Sequence, residues 1–372
     1  MRRIEITSHL KFQRCSMIEE VIEEGLAKIC IDNVFYNPRM RFCRDLDMLL
    51  FKNLEKHEYL DALAASGVRG IRAALEADYQ PIFNDWDLKA IEVIKKNLKF
   101  NGINAEIYNK DASLLMRERK FKHIDIDPFG SPSEFIDSAC YSVLKYLSVT
   151  ATDTAALCGS ATNSGLRKYS AFAKKTEYYP EVGVRILIGK IAREITKYDK
   201  AFEVILCWAR EHYYRIPLKV VKSTSKAGKL YKDVGYLFHC FNCLNRIWSP
   251  IDGESKEICE CGNKYTMIGP LWIGKLHNQE VVDKMLKTKF RLEKPEKIKE
   301  FLKRIKDEID IPFYYDVHKI SEKLKVAPPP INKIISKLEN EGLIASRTRF
   351  SSLSFKTDAG IESIKNVIQM LS

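Results

Sequence analysis

Four absences in this 372-residue chain narrow its role before any motif is weighed. No apolar run approaches the ~20 residues needed to span a bilayer, and Met1-Arg-Arg-Ile-Glu-Ile-Thr lacks the apolar core of a signal peptide. The expectation is a cytoplasmic protein with no membrane contact. There is no Gly-x4-Gly-Lys-Ser/Thr motif, which argues against ATP or GTP phosphate chemistry. A complete Gly-x-Gly-x-x-Gly is also missing, so an ordinary dinucleotide site is not indicated.

What is present points to a globular protein of two or three domains, with 45% hydrophobic and 30% charged residues. The net charge of +12 favours a polyanionic partner. Ten cysteines in a cytoplasmic chain should be reduced thiols or metal ligands. Cys140, Cys158 and Cys207 sit among apolar neighbours and read as small core residues.

After a basic, strand-like start, four strand-like segments each run into an acid or a glycine turn. Glu58-Tyr-Leu-Asp-Ala-Leu precedes Ala64-Ala-Ser-Gly-Val-Arg-Gly70 and a helix, the opening of a nucleotide-binding βαβ unit. Ile82-Phe-Asn-Asp85 is the second strand, and an acid at its end is placed to take a ribose diol. Ala105-Glu-Ile-Tyr-Asn is the third, with Asp111 beyond it as an acceptor for an adenine amino group. Phe121-Lys-His-Ile-Asp-Ile-Asp alternates with the period of a strand and is stopped by Pro128. The set outlines an adenosyl site. S-adenosylmethionine suits it better than a nucleotide, having no phosphates that need an anion cradle.

Ligands of open α/β sheets collect past the carboxyl ends of strands. There Asp127 and a neighbouring carbonyl can accept hydrogen bonds from an exocyclic amino group while Phe129 stacks on the base. Asp127-Pro-Phe-Gly130 also makes an ordinary tight turn. Asn33-Val-Phe-Tyr-Asn-Pro-Arg-Met40 is either a ligand-lining stretch or a loop on the sheet edge.

Several stretches together carry a specific likeness: Asn33 to Met40, Arg44-Asp-Leu, Asp61-Ala-Leu-Ala-Ala-Ser-Gly-Val-Arg-Gly-Ile-Arg and Asp125-Ile-Asp-Pro-Phe-Gly-Ser-Pro. Tyr169-Ser, Gly183-Val-Arg-Ile-Leu-Ile-Gly-Lys-Ile-Ala-Arg-Glu and Glu211-His-Tyr-Tyr-Arg215 extend it over nearly the whole chain. In these the chain resembles the tRNA (guanine-26) N2-dimethyltransferase family, archaeal-type short form. The resemblance implies a Rossmann-like class I methyltransferase domain over 1–215 and an α+β, tRNA-binding C-terminal domain over 216–372. It implies S-adenosylmethionine held by Phe35, Arg44, Asp61, Gly67, Arg69, Asp85, Asp111 and Ala112, with Arg41 and Arg72 rivals for the two arginine positions. Asp127 would be catalytic, with Pro128 and Phe129 holding the base. The connection from Asp111 to Asp127 is shorter than the family pattern. The alternatives are an amino-methyltransferase of another structured RNA or of DNA, and a non-catalytic nucleic-acid-binding regulator. No obligate protein partner is indicated, and a monomer is expected.

In the second half a long helical region is expected up to Ala209, with Arg167, Lys168, Lys174, Lys175 and Arg185 as an RNA-facing set or a solvated face. Lys219 to Lys232 strings five lysines without an acid and reads as a flexible basic loop for phosphates. Cys240-Phe-Asn-Cys243 and Cys259-Glu-Cys261 have near-zinc spacing and would form a structural Zn2+ knuckle within 239–262. His239 and His277 are further candidates that read as bystanders. From 314 to 372, two helices and a wing with Arg347 and Arg349 near its tip suggest a winged-helix-like tail.

Overall fold

The computed structural model describes residues 20–372, so the strand-like start expected at the extreme N-terminus lies outside the described residues. A hairpin of β1 (Val21–Glu24) and β2 (Ala27–Cys30) precedes α1 (Arg41–Lys52). Strands and helices then alternate as the periodicity implied. They are β3 (Glu58–Asp61), α2 (Val68–Ala77), β4 (Gln80–Asn84), α3 (Leu88–Phe100), β5 (Glu106–Tyr108) and α4 (Ala112–Glu118). Next come β6 (Phe121–Ile126), α5 (Ile136–Ser142), β7 (Val143–Ala151), α6 (Thr154–Leu157), α7 (Thr162–Tyr169) and α8 (Tyr179–Ile195). The strands β8 (Lys200–Val204), β9 (Trp208–Arg210) and β10 (Tyr213–Lys222) complete the sheet.

The sheet order is β5-β4-β3-β6-β7-β10-β8, with β9 beside β10. The five strands from β5 to β7 pair in parallel, and β10 runs antiparallel to its neighbours. Chain order reverses between β3 and β6, so a crevice opens at their carboxyl ends. The turn after β3 shows why two glycines sit there. Gly67 takes φ 75°, a conformation that side chains rarely adopt, to launch α2. A Cβ on Gly70 would lie 2.4 Å from the Phe83 ring of β4, so this glycine lets α2 press onto the sheet.

The second half holds α9 (Thr224–Tyr231) and a three-stranded sheet of β11 (Val234–His239), β12 (Arg246–Pro250) and β13 (Thr266–Trp272). Helices α10 (Gln279–Lys287) and α11 (Pro295–Asp307) follow. The tail runs β14 (Tyr315–Asp316), α12 (Val317–Leu324), α13 (Ile331–Asn340), β15 (Ala345–Arg347), β16 (Ser354–Thr357) and α14 (Ile361–Leu371). Its strands pair in the order β14-β16-β15 around their own apolar cluster. Helix α8 is buried nearly all round and joins the halves, because Gly189 lets its backbone approach Leu271 of β13 closely.

Several expectations are corrected here. The helical region ends at Ile195, and β8 and β9 occupy the stretch to Arg210. The lysine-rich 219–232 segment is no loop: it completes β10 and forms α9, whose first turn is capped by the Ser223 hydroxyl accepting the Lys226 N–H. Because β10 is antiparallel to β7, that segment lies at the end of the sheet away from the crevice. Arg185 faces no RNA; it is buried, pairs with Glu181 and donates to the carbonyls of Trp272 and Gly274. Arg349 is likewise buried, paired with Glu308. Strand β10 runs straight across the expected 215/216 boundary.

Candidate active site

The four sequence-identified acids stand on one edge of the sheet. Asp61 is the last residue of β3, Asp85 follows β4, Asp111 caps α4 after β5, and Asp127 follows β6. Two adjoining cavities, of about 300 and 400 Å³, open between them and share a rim of Phe35, Leu63, Ala65, Asp127, Pro128 and Phe129. Arg44, Asp61, Arg69 and the Glu211–Tyr213 hairpin tip line the first; Asp85, Trp86, Asp111 and Ala112 line the second. Gly67 lines neither and acts through the turn it makes.

Each acid is held in place. Asp85 accepts the N–H groups of Ala65 (2.8 Å) and Asp87 (3.0 Å), which leaves each oxygen a lone pair for a ligand. Asp111 accepts the Leu114 N–H at 3.0 Å. Asp61 accepts the Gly70 N–H at 3.1 Å. Burial, and then the Asp125 carboxylate beside it, push the Asp61 carboxyl up to about 7.

Asp127 pairs with the Arg69 guanidinium, whose other nitrogen donates to Asp47. Behind Arg69 lies Arg215, fully buried, which forks onto both Asp125 oxygens at 2.6 Å and reaches Asp47 at 3.0 Å. Burial alone would raise the Asp125 carboxyl; Arg215 and Arg69 instead hold it at about 2. Asp127 thus ends a chain of alternating charges that fixes its direction. The loop after it is clamped by Thr152, whose hydroxyl accepts the Gly130 N–H (2.8 Å) and whose N–H reaches the Gly130 carbonyl (2.9 Å). Ser131 is braced by Tyr169, which donates to Asp153.

Phe129 is 88% exposed and Phe35 57%, and their rings meet edge to face at 5.5 Å. Neither ring is buried by the fold, and both border the two cavities, as a stacking platform would. Among the arginines considered, Arg44 lines the first cavity although Glu24 holds its guanidinium at 2.6 Å. Arg72 is sealed among Glu24, Asp45 and Glu76, and Arg41 pairs with Glu293. Only Arg44 and Arg69 of the four reach a cavity.

Sequence reasoning missed Trp86, 76% exposed on the second cavity, although an aromatic directly after the ribose acid was a usable signal. It also missed Asp47 and Arg215, which are separated by 168 positions and share no local pattern.

The Cys240, Cys243, Cys259 and Cys261 sulfurs lie within 4.8 Å of one another, and two of the pairs are 3.5 Å apart. A tetrahedral ion with Zn–S of about 2.3 Å sets its sulfurs roughly 3.8 Å apart, so the cluster fits Zn2+. Side-chain amides of Asn242, Asn245 and Asn263 surround the sulfurs at 3.5–3.9 Å. His239 stays outside, buried and bonded to the Tyr178 hydroxyl, and His277 bonds to Arg349. Leu244, inside the knuckle, belongs to the apolar cluster of the tail. Metal analysis of the purified protein is expected to find one zinc per chain, and chelation to lower Tm by loosening that junction. A metal-free chain with unchanged Tm would show that the four cysteines hold no structural ion.

The family model for N2,N2-dimethylguanosine tRNA methyltransferase matches residues 18–369. A tRNA (guanine(26)-N(2))-dimethyltransferase of Archaeoglobus fulgidus is 50% identical over 349 residues, covering 94% of this chain and 98% of that protein. The enzyme of the same name from Methanospirillum hungatei is 40% identical over 338 residues, covering 90% and 91%. Among solved structures, Trm1 from Pyrococcus horikoshii in complex with S-adenosyl-L-methionine is 37% identical, with a TM-score of 0.87 over 94% of this chain and 99% of that one. The likeness read from scattered motifs is therefore matched along almost the entire length, and the chain belongs to the N2,N2-dimethylguanosine tRNA methyltransferase family, a family of methyltransferases.

Proposed function

We propose that this protein transfers one or two methyl groups from S-adenosylmethionine to the exocyclic N2 of guanine at position 26 of tRNA. One observation supports this above all: two cavities meet along Asp127-Pro-Phe129, so that a donor lying across both would carry its methyl group past a carboxylate and an exposed aromatic ring on which an acceptor base can stack. The relatives named for this reaction, and the S-adenosylmethionine named in the Pyrococcus complex, agree with it.

The lining residues fit the donor. Asp85 suits a ribose diol, Asp111 and the backbone of Ala112 an adenine edge, and Asp61, Arg69 and Arg44 the charged amino-acid end, with Phe35 closing over it. Bound there, S-adenosylmethionine supplies an activated methyl group on a positively charged sulfur. The guanine amino nitrogen is a poor nucleophile, its lone pair being delocalised into the ring. In the first transfer Asp127 and the neighbouring backbone carbonyl accept its two N–H groups, and in the second Asp127 accepts the one that remains. Both arrangements favour pyramidal nitrogen and aim the lone pair, and the N–H proton given up in each transfer passes through Asp127 to solvent. Orientation of well-aligned reactants can supply roughly 7–11 kcal/mol. Phe129 stacks on the base. Exposed Arg167, Lys174 and Lys175 contact phosphates, and the tail positions tRNA as a winged-helix-like module recognising shape. The knuckle holds Zn2+ and performs no chemistry, and the protein acts as a cytoplasmic monomer.

Asp61 gives the donor site a pH dependence. Its carboxyl, raised to about 7, is largely protonated at pH 5.5, and pairing with a cation requires it to ionise. Donor affinity is expected to rise up to tenfold per pH unit towards pH 7 and then level off. Asp61→Asn should bind more weakly and without that slope, as titration calorimetry can read. For the empty fold the sign is opposite: a carboxyl with a raised folded pKa stabilises at low pH, and that contribution is lost as pH climbs from about 4 through 7.

To test the reaction itself, purified protein is incubated with labelled donor and unmodified tRNA, and the tRNA is digested. Label in N2-methylguanosine and N2,N2-dimethylguanosine from position 26 supports the proposal. Label in another nucleoside, or transfer only to ribosomal RNA or DNA, opposes it.

A further inference from the structure

Beyond the Glu211–Tyr213 hairpin tip lies a cavity of about 290 Å³ that the reaction above does not use. Glu211 and Tyr213 line both this cavity and the first active-site cavity, so the hairpin tip is the partition between them. Tyr179, Tyr214 and Phe350 supply aromatic surface around it, Phe350 coming from the C-terminal tail. The Tyr214 ring fits only because residue 183 is glycine, since a Cβ there would lie 2.6 Å from the ring. Glu211 sits at φ 49°, a strained backbone for a non-glycine residue, and its side chain is exposed. The Lys175 ammonium lies 5.3 Å over the half-exposed Tyr179 ring, placing a cation beside one of the rings that line the cavity.

We infer that this cavity is a second nucleobase site, which takes the base of a nucleotide directly beside the target guanosine. The inference rests on the tRNA-methylating reading. A target base that leaves its stack also unstacks its neighbour. Aromatic side chains can receive that neighbour whatever its identity. Lys175 meets its phosphate, and Glu211 accepts an N–H from any base carrying an amino group. Since Phe350 belongs to the tail, the site also links extrusion of the target to docking of the C-terminal half.

The test compares intact tRNA with two tRNAs that lack the base on the 5′ or the 3′ side of the target guanosine. Wild-type protein should show a KM for one of the abasic tRNAs raised about tenfold, a scale set by stacking of one base, with kcat little altered. Tyr179→Ala, a change at a half-exposed ring, should raise KM on intact tRNA to the same extent and show no further loss on that abasic tRNA. Equal KM values for all three tRNAs, or a Tyr179→Ala protein indistinguishable from wild type, would overturn the inference while leaving guanine methylation standing. Absence of guanine methylation on intact tRNA by wild-type protein would remove the parent reading, and this site with it.

Discussion

Replacing Asp127 by alanine is expected to leave donor binding within about twofold of wild type and to cut methyl transfer to tRNA by about 10²–10⁴-fold, the scale of a lost positioned acid or base. The carboxylate stands on the rim common to both cavities, while Asp85 and Asp111 of the second cavity are untouched by the change. Arg69 would still be held by Asp47 and by the nearby Asp125, so its own position should survive. Side-chain burial at Asp127 is incomplete, which limits the folding penalty. Calorimetry with the donor and a labelled-methyl assay, run on one preparation, separate binding from transfer. Wild-type transfer rates in Asp127→Ala would mean that the amino group is oriented by something else.

Arg215→Met should produce the largest loss of stability of any single substitution near the site. Arg215 forks onto Asp125 and reaches Asp47, all three with no exposed surface. Methionine fills most of the volume but leaves both carboxylates short of a partner. Breaking one side of a buried ion pair typically costs about 3–5 kcal/mol, a large share of the 5–15 kcal/mol that stabilises a typical domain. Urea unfolding should show the loss as a lowered midpoint. In the fraction that stays folded, Asp47 and Asp125 should draw Arg69 towards themselves and away from Asp127, and kcat should fall more than donor affinity because Asp127 is no longer aimed. A midpoint unchanged from wild type would show that the charges are satisfied without Arg215.

Legibility in the sequence followed range. Asp61, Asp85, Asp111 and Asp127 could be found because each ends or follows a short strand whose apolar pattern is local, and parallel pairing brings all of those ends to one edge. The glycine turn was legible as a turn, but the reason for Gly70 was not, since the Phe83 ring that it accommodates lies on another strand. The Asp47–Arg69–Asp125–Arg215 chain was invisible because three separate elements and β10 contribute to it. Arg347 and Arg349 look alike in sequence. Only the packing of Glu308 against the second makes it an internal fastener, while the first reaches Asn332 near the surface. The lysines of 219–232 suggested solvent-exposed loop, yet Ala227 and Leu230 bury enough of one face to make α9 a helix. The four cysteines were readable from spacing alone, because a knuckle is built from turns that the spacing itself defines.

On the proposed reading, donor and base meet at Asp127 and Phe129. A crystal structure of the protein with S-adenosylhomocysteine tests it most directly. The ribose is expected at Asp85, the adenine beside Asp111 and Ala112, and the sulfur turned towards the Asp127 carboxylate. A nucleoside lodged away from these residues, with its sulfur shielded from Asp127, would contradict it.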